Sequence, residues 1–458
     1  MLGIILVASG LSVVIAAVLA QYYAIDVITS LLVSDPRDCT VAGMPHIGLH
    51  CFSDYSIVVD LGMRPNAWEP FYANLPGAAG KPAINNYPPT AMLPHLLFGV
   101  IGKAFGAPMV GLLGYLLALT AAVLAPAFWA ARGARGLETI VVFLACGVAA
   151  IPAWAAVDRG NSVGFFTPLA LIFLIALSRQ RWGLVAVAVV LAAMLKPQFV
   201  FLAVIFFAAR KWRLGAATVG AAVLLNFAGY LLWPRDFPQT IPQSIHGLSA
   251  YAAEAHFLSN VNVALPNAVL AIPYGIAAAI RGETPPPFPG FVHTLAGAAV
   301  LLLVAGALIK LGRRIPPTMA GIVLLVTASL DPSISNRYYL VFVLPIAALV
   351  VRDPDGAPGT GLFDGFRDRG IYRRSVARCV SVGAALTIAQ IPVPGPPTKY
   401  ETPQLDGKFT TTEFVTTTAH LASTIWLVTC IVIIVAYWRR PAPEDPVEAT
   451  KESVAQRD

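Results

Sequence analysis

The chain has 458 residues, of which 57% are hydrophobic and only 12% charged, with a mean hydropathy of +0.71. Soluble domains carry about a quarter charged residues, so this composition excludes a large water-soluble globule and points to a polytopic membrane protein. The net charge of +7 is placed in short clusters between apolar blocks. It therefore reports orientation in a bilayer and contact with lipid headgroups, not a nucleic-acid partner.

Residues 2–24 form the first apolar block. It lacks a basic leader and is long, so it predicts an uncleaved first helix. A large loop, 25–87, follows. Asp26, Asp35, Asp38, Asp54, Asp60 and Glu69 stand there against Arg37, Arg64 and Lys81, a balance of −3 that places the loop outside. Cys39 and Cys51 lie in it. In an outer loop they are expected to be disulfide-bonded, with free thiols or a local metal site as the alternative. Cys146, Cys379 and Cys430 fall in apolar blocks and read as core residues.

Helices are predicted over 88–105, 108–131, 137–156, 163–178, 182–195, 197–210, 214–233, 264–280, 291–310, 316–330, 338–351, 376–392 and 416–438. The basic clusters at Arg132/Arg135, Arg179/Arg181, Arg210–Arg213, Lys310–Arg314, 352–378 and Arg439/Arg440 belong on the cytoplasmic side. Strict alternation through every block cannot satisfy all of them. The conflict disappears if the proline-broken blocks 88–105 and 264–280 enter from outside and return, which leaves about 12 crossings and both termini inside. Block 182–210 is basic at both ends and interrupted at Lys196-Pro197. Proline removes a helical donor, so two short helices with their apex at Lys196 are expected. The polar loop 352–375 and the tail 441–458 read as flexible.

Three outer cations stand out. Arg159, Lys196 and Arg337 each follow or interrupt an apolar block, and together they fit a phosphate. A lysine in mid-block costs roughly 2.5–3.5 kcal/mol in lipid, so Lys196 is expected to face an anion or a polar cavity; headgroup snorkelling is the plainer reading for the other two. Among the outer carboxylates Asp54 is the favoured general base, with Asp60 and Asp26 as rivals. His46, His50, Cys51 and Asp54 could bind a metal only on a regular helix, which Pro45 and Gly48 oppose, so no metal cofactor is expected. Trp68, Phe71, Tyr72 and Tyr87 fit either an interfacial aromatic belt or a sugar platform. There is no Walker loop, dinucleotide fingerprint or nucleophile elbow.

The order of these features carries a resemblance. It runs from an outer Asp54 through Trp68-x-x-Phe71-Tyr72 and Asn86-Tyr87-Pro88-Pro89 to Arg159-Gly160-Asn161. Then come Leu195-Lys196-Pro197, Arg210-Lys211-Trp212-Arg213, Ser259-Asn260-Val261-Asn262, and Asp331-Pro332 leading into Tyr338-Tyr339. Over about residues 1–350 this resembles the GT-C superfamily of membrane glycosyltransferases, in particular glycosyltransferase family 87. The resemblance implies an all-α GT-C-like bundle with a catalytic membrane domain over 1–351 and a C-terminal transmembrane hairpin over 376–440. It implies Asp54 as catalytic base, Lys196, Arg159 and Arg337 at a donor phosphate, and a substrate cavity lined by Asp60, Tyr87, Asn161, His256, Asn260, Asn262 and Tyr338.

The implied partners are a polyprenyl-phosphate sugar, a lipid-linked glycan or glycolipid acceptor, and membrane lipids, at the extracytoplasmic face of a bacterial plasma membrane. Gly160-Asn161-Ser162 stands where the family often has Gly-Gln-x-Asn, and Asp331 to Arg337 replaces a Trp-x-His stretch. The sugar is left open between mannose and arabinofuranose. A lipid or oligosaccharide transporter or flippase is the alternative from another class.

Overall fold

The computed structural model describes residues 2–23, 47, 50, 52–70, 85–253, 262–281, 289–332, 334–393, 398–403 and 409–439. Among the described residues the protein is a helical bundle with one β-hairpin.

Helix α1 (Leu2–Tyr23) is apolar throughout and about 33 Å long, enough to cross a hydrocarbon core of about 30 Å. Its Ser12 hydroxyl donates to the Ala389 carbonyl at 2.8 Å, which ties the first span to a helix near the far end of the chain. The loop 25–87 contributes α2 (Ser53–Gly62). It is followed by α3 (Pro89–Ala104) and α4 (Pro108–Ala131). Both α3 and α4 begin on proline, whose missing N–H is harmless in a first turn. Pro94 lies inside α3 without breaking it, so the predicted re-entrant block 88–105 is one short, continuous helix. It packs tightly on α4: a Cβ on Gly111 would lie 2.5 Å from the Phe98 carbonyl oxygen.

The predicted single helix over 137–156 is α5 (Leu137–Phe143), a π-turn over Leu144–Val148, and α6 (Ile151–Arg159), with a bend of 47° between the two arms. Next come a 3₁₀ turn (Ser162–Phe165) leading into α7 (Phe166–Ser178), then α8 (Trp182–Leu195). A 3₁₀ segment (Pro197–Ala203) runs into α9 (Val204–Ala208), so the expected break falls at Lys196-Pro197. Helix α10 (Trp212–Ala228) is followed by α11 (Thr240–Ala253), α12 (Leu265–Arg281), α13 (Gly290–Leu311) and α14 (Pro317–Leu330). A 3₁₀ segment (Arg337–Phe342) opens α15 (Val343–Val351).

Among the described residues five helical stretches are long and apolar enough to cross a membrane: Leu2–Tyr22, Pro108–Ala131, Trp212–Leu232, Gly290–Arg314 and Thr418–Trp438. The bent pair α5–α6 makes a sixth if taken as one span. The remaining apolar helices are 10–17 residues long. The shortfall from about 12 expected crossings comes from shortening: prolines and 3₁₀ turns cut helices that an unbroken hydropathy pattern reads as full spans.

The centre of the bundle is α14 and α15, whose residues Thr318–Leu330 and Val343–Val350 are all buried. Segment 352–375, expected to be flexible, is folded. It contains α16 (Leu362–Asp368), which buries Leu362, Phe363 and Phe366 in the same core. Its Asp353 is buried and pairs with Arg369 at 3.7 Å. After α17 (Arg374–Ala389) comes an antiparallel pair, β1 (Thr398–Pro403) with β2 (Phe409–Phe414), in the register Thr398↔Phe414. Helix α18 (Ala422–Trp438) closes the bundle.

Aromatic burial fixes the described end of the loop that follows α2. Trp68 is fully buried against Tyr230 and Trp233. It is therefore a core residue, neither belt nor sugar platform. Beside it the Asn66 amide donates to Asp236 at 2.8 Å and to Gln243 at 2.9 Å. Hydrogen bonds from Arg235 and Asn66 hold the Asp236 carboxyl below its usual range.

Candidate active site

Asp54 lies in the first turn of α2, directly after a chain reversal at Phe52, whose backbone is left-handed (φ 48°, ψ 52°). Its partners come from the end of α6. Arg159 is the last residue of that helix, Gly160 is its left-handed cap (φ 62°, ψ 30°), and Asn161 starts the next 3₁₀ turn. Glycine is the residue that adopts this backbone without a Cβ penalty. Space demands it as well, since a Cβ here would lie 3.0 Å from that of Tyr55.

The turn is clamped through its carbonyl. The Tyr115 hydroxyl donates to Gly160 O at 2.8 Å, and His95 Nε2 lies 3.2 Å from the same oxygen. His95 and Tyr115 stack with ring centroids 5.1 Å apart. The clamp aims two side chains at Asp54. Asn161 Nδ2 donates to Oδ2 at 2.7 Å, and Arg159 Nη2 to Oδ1 at 3.3 Å. Both amide hydrogens of Asn161 are used, since the second reaches the Tyr87 hydroxyl at 3.1 Å, and its Oδ1 accepts from the Val163 N–H at 2.9 Å. A carboxylate oxygen has two acceptor sites, so each oxygen of Asp54 retains one beyond these two bonds.

Lys196 lies on the other side of Tyr87. Its backbone is extended (φ −150°, ψ 117°) between α8 and the Pro197 turn. Its ammonium rests 4.2 Å from the centroid of the Tyr87 ring, and the residue is 9% exposed. The charge of Asp54 acts on Lys196, Tyr87, His95, Tyr338 and Tyr339, which places all of them in one electrostatic neighbourhood. Arg337, 7% exposed, opens the 3₁₀ segment that also carries Tyr338 and Tyr339. Among the described residues no carboxylate forms an ion pair with Lys196 or Arg337.

Three apolar helical segments begin at this site. Asn161, Lys196 and Asn336 are their N-cap residues, all with extended backbone. The 3₁₀ turn at 162 packs on both α8 and the segment at 337. Helix N-termini present partly positive N–H groups, which add to the positive charge of Lys196.

The structure thus brings Asp54, Arg159, Asn161, Tyr87, Lys196 and Tyr338 together, with Arg337 beside Tyr338. Arg159 is engaged with the carboxylate of Asp54. Asp60 is not brought in. Six residues beyond Asp54 it is turned by about 240° around the helix, and it pairs with Arg64 on an exposed face. Asn262 serves the backbone: its Oδ1 accepts from the N–H of Ser335 at 2.9 Å and of Ala264 at 3.1 Å, which positions the strand entering Arg337. His256, Asn260, Cys39 and Cys51, and with them the expected disulfide, lie outside the described residues. So do His46 of the metal reading and the rival base Asp26, while His50 pairs with Asp158. Sequence reasoning missed His95 and Tyr115. A histidine following Pro94 in an apolar block was a legible signal; Tyr115 offered none.

No curated protein and no solved structure matches the chain. The sequence model of glycosyltransferase family 87 matches residues 85–334, more than half of its length. That span contains Tyr87, Arg159, Asn161 and Lys196, while Asp54 precedes it. With a family model covering more than half of its length, the chain belongs to glycosyltransferase family 87.

Proposed function

We propose that this glycosyltransferase moves a mannosyl or arabinofuranosyl unit from a polyprenyl-phosphate donor to a lipid-linked glycan or glycolipid acceptor, with inversion, at the extracytoplasmic face of a bacterial plasma membrane. The observation that carries the proposal is the placement of Asp54 and Lys196 on either side of Tyr87 and Asn161, with no direct contact between the two charges. The Asp54 carboxylate takes the proton of the acceptor hydroxyl while that oxygen bonds to the anomeric carbon. The bond from the anomeric carbon to the lipid phosphate breaks, and its electron pair leaves with the phosphate. Lys196, Arg337 and the three helix N-termini receive the developing negative charge. One base and one departing group on opposite faces of the sugar give inversion; retention by double displacement asks for a second carboxylate about 5–5.5 Å away. In this reading no cofactor beyond the lipid-linked donor takes part.

The proposed orientation is supported by the basic residues that flank the ends of α4 and α10 away from the site. The test is incubation of the purified protein with mannosyl and with arabinofuranosyl polyprenyl phosphate separately, in the presence of a membrane glycolipid fraction. Consumption of one donor with transfer of its sugar is expected, together with a loss of at least about 100-fold on Asp54→Asn. Turnover of a nucleotide sugar alone, or full activity of the Asp54→Asn protein, would overturn the reading.

A further inference from the structure

At the basic end of the bundle three tight helix-to-helix turns converge. They follow α7, α9 and α13, and each passes through a left-handed residue: Gln180 (φ 53°), Arg210 (φ 61°) and Gly312 (φ 50°). For Gln180 and Arg210 that backbone costs roughly 1–2 kcal/mol, so packing must hold these turns in place. Each left-handed residue is followed by a cation, namely Arg181, Lys211 and Arg313. Between the turns lies a hollow of about 340 Å³ with an apolar floor that includes Ile205, Ile315 and Pro317. Lys211, Arg313 and Gln180 supply its polar lining, and among the described lining residues none is acidic. The Lys211 ammonium stands 5.1 Å from the Trp182 ring centroid. Orientation in the bilayer explains why this end is basic. It does not explain why two cations from separate turns line one concave, apolar-floored recess.

We propose that this recess binds the headgroup of an anionic phospholipid, with the phosphate between Lys211 and Arg313 and the glycerol and upper acyl carbons on the apolar floor. Basic pockets between transmembrane helices are suited to such headgroups. The apolar floor favours a lipid over free phosphate, which has nothing to place there. The site is independent of the sugar-transfer site, which lies at the other end of α8 and is reached from Lys196.

The test uses the purified full-length protein in phosphatidylcholine nanodiscs doped with phosphatidylglycerol or diphosphatidylglycerol, with retained lipid read by native mass spectrometry. The double variant Lys211→Ala/Arg313→Ala is expected to lose about tenfold or more in anionic-lipid affinity at about 1 kcal/mol per basic residue. The double variant Arg132→Ala/Arg135→Ala removes the same charge from another basic turn and is expected to change affinity less than about twofold. Equal losses in the two variants would reduce the site to general electrostatics and overturn the proposal. Displacement of the lipid by millimolar inorganic phosphate would assign the recess to a free anion and overturn it as well. A Lys211→Arg/Arg313→Lys protein that regains binding would confirm that the charges, not the fold of the turns, hold the lipid.

Discussion

Asn161 is the residue through which the site is assembled, because one amide group joins Asp54, Tyr87 and the start of a helix. Its placement depends on Gly160. A Gly160→Ala protein must hold alanine at φ 62° with its Cβ pressed on Tyr55. The expected outcome is a loss of about 1–3 kcal/mol in stability and a larger fall in kcat, read by thermal unfolding in detergent beside a transfer assay. Lys196 predicts the opposite split. A buried cation that rests on an aromatic face, with no ion-pair partner among the described residues, costs stability, while a phosphate relieves that cost. Lys196→Met should leave the protein at least as stable as the wild type and raise KM for the lipid donor by about tenfold or more. A destabilised protein with unchanged donor KM would show that Lys196 serves the fold.

At the scale of elements, the site is made where helices start. The 3₁₀ segments after Asn161, Lys196 and Asn336 shorten three apolar helices at the same end of the bundle. The extended cap residues Asn161 and Lys196 turn their side chains onto Tyr87 instead of along a helix. Pro197 enforces one of these starts. Pro197→Ala should let α8 continue through Lys196 and swing the ammonium away from Tyr87, lowering transfer while the protein still inserts; a transfer assay on membranes with matched protein content reads the difference. The α3–α4 pair holds Tyr115 and His95 against Gly160 from the outside. Gly111 allows its close approach, with the Phe98 carbonyl 2.5 Å from a Cβ placed there. Gly111→Val should separate the two helices and cost about 1–3 kcal/mol as an overpacked core does, measured as a lowered unfolding temperature.

At the scale of the whole molecule, the C-terminal helices belong to the same core as the family-matched region. Trp426 of α18 is fully buried, meets Phe342 edge-on with ring centroids 5.2 Å apart, and donates to Thr387 Oγ1 at 2.9 Å. Phe342 ends the 3₁₀ segment that starts with Arg337, so α18 supports the site from behind. Trp426→Ala should cost about 3–5 kcal/mol and lower the single unfolding transition of the bundle, not release a separate C-terminal domain. Two transitions by calorimetry would contradict a shared core.

Hydropathy, proline positions and charge clusters determined the membrane class, the helical content and most helix limits, including the break at Lys196, because lipid demands long apolar runs and every interruption of them is visible in one dimension. The ordered short motifs also carried the family. Composition alone hid the folding of 352–375, where Leu362, Phe363 and Phe366 find the core from a polar segment. It left Asp60 standing as a rival to Asp54, since only a helix face shows that two aspartates six residues apart point in different directions. Nor could it give the His95–Tyr115 clamp or the engagement of Arg159 by Asp54, which join residues far apart in the chain. Such contacts are decided when helices pack, because hydrogen-bond geometry depends on relative positions within a few tenths of an ångström that no local pattern encodes.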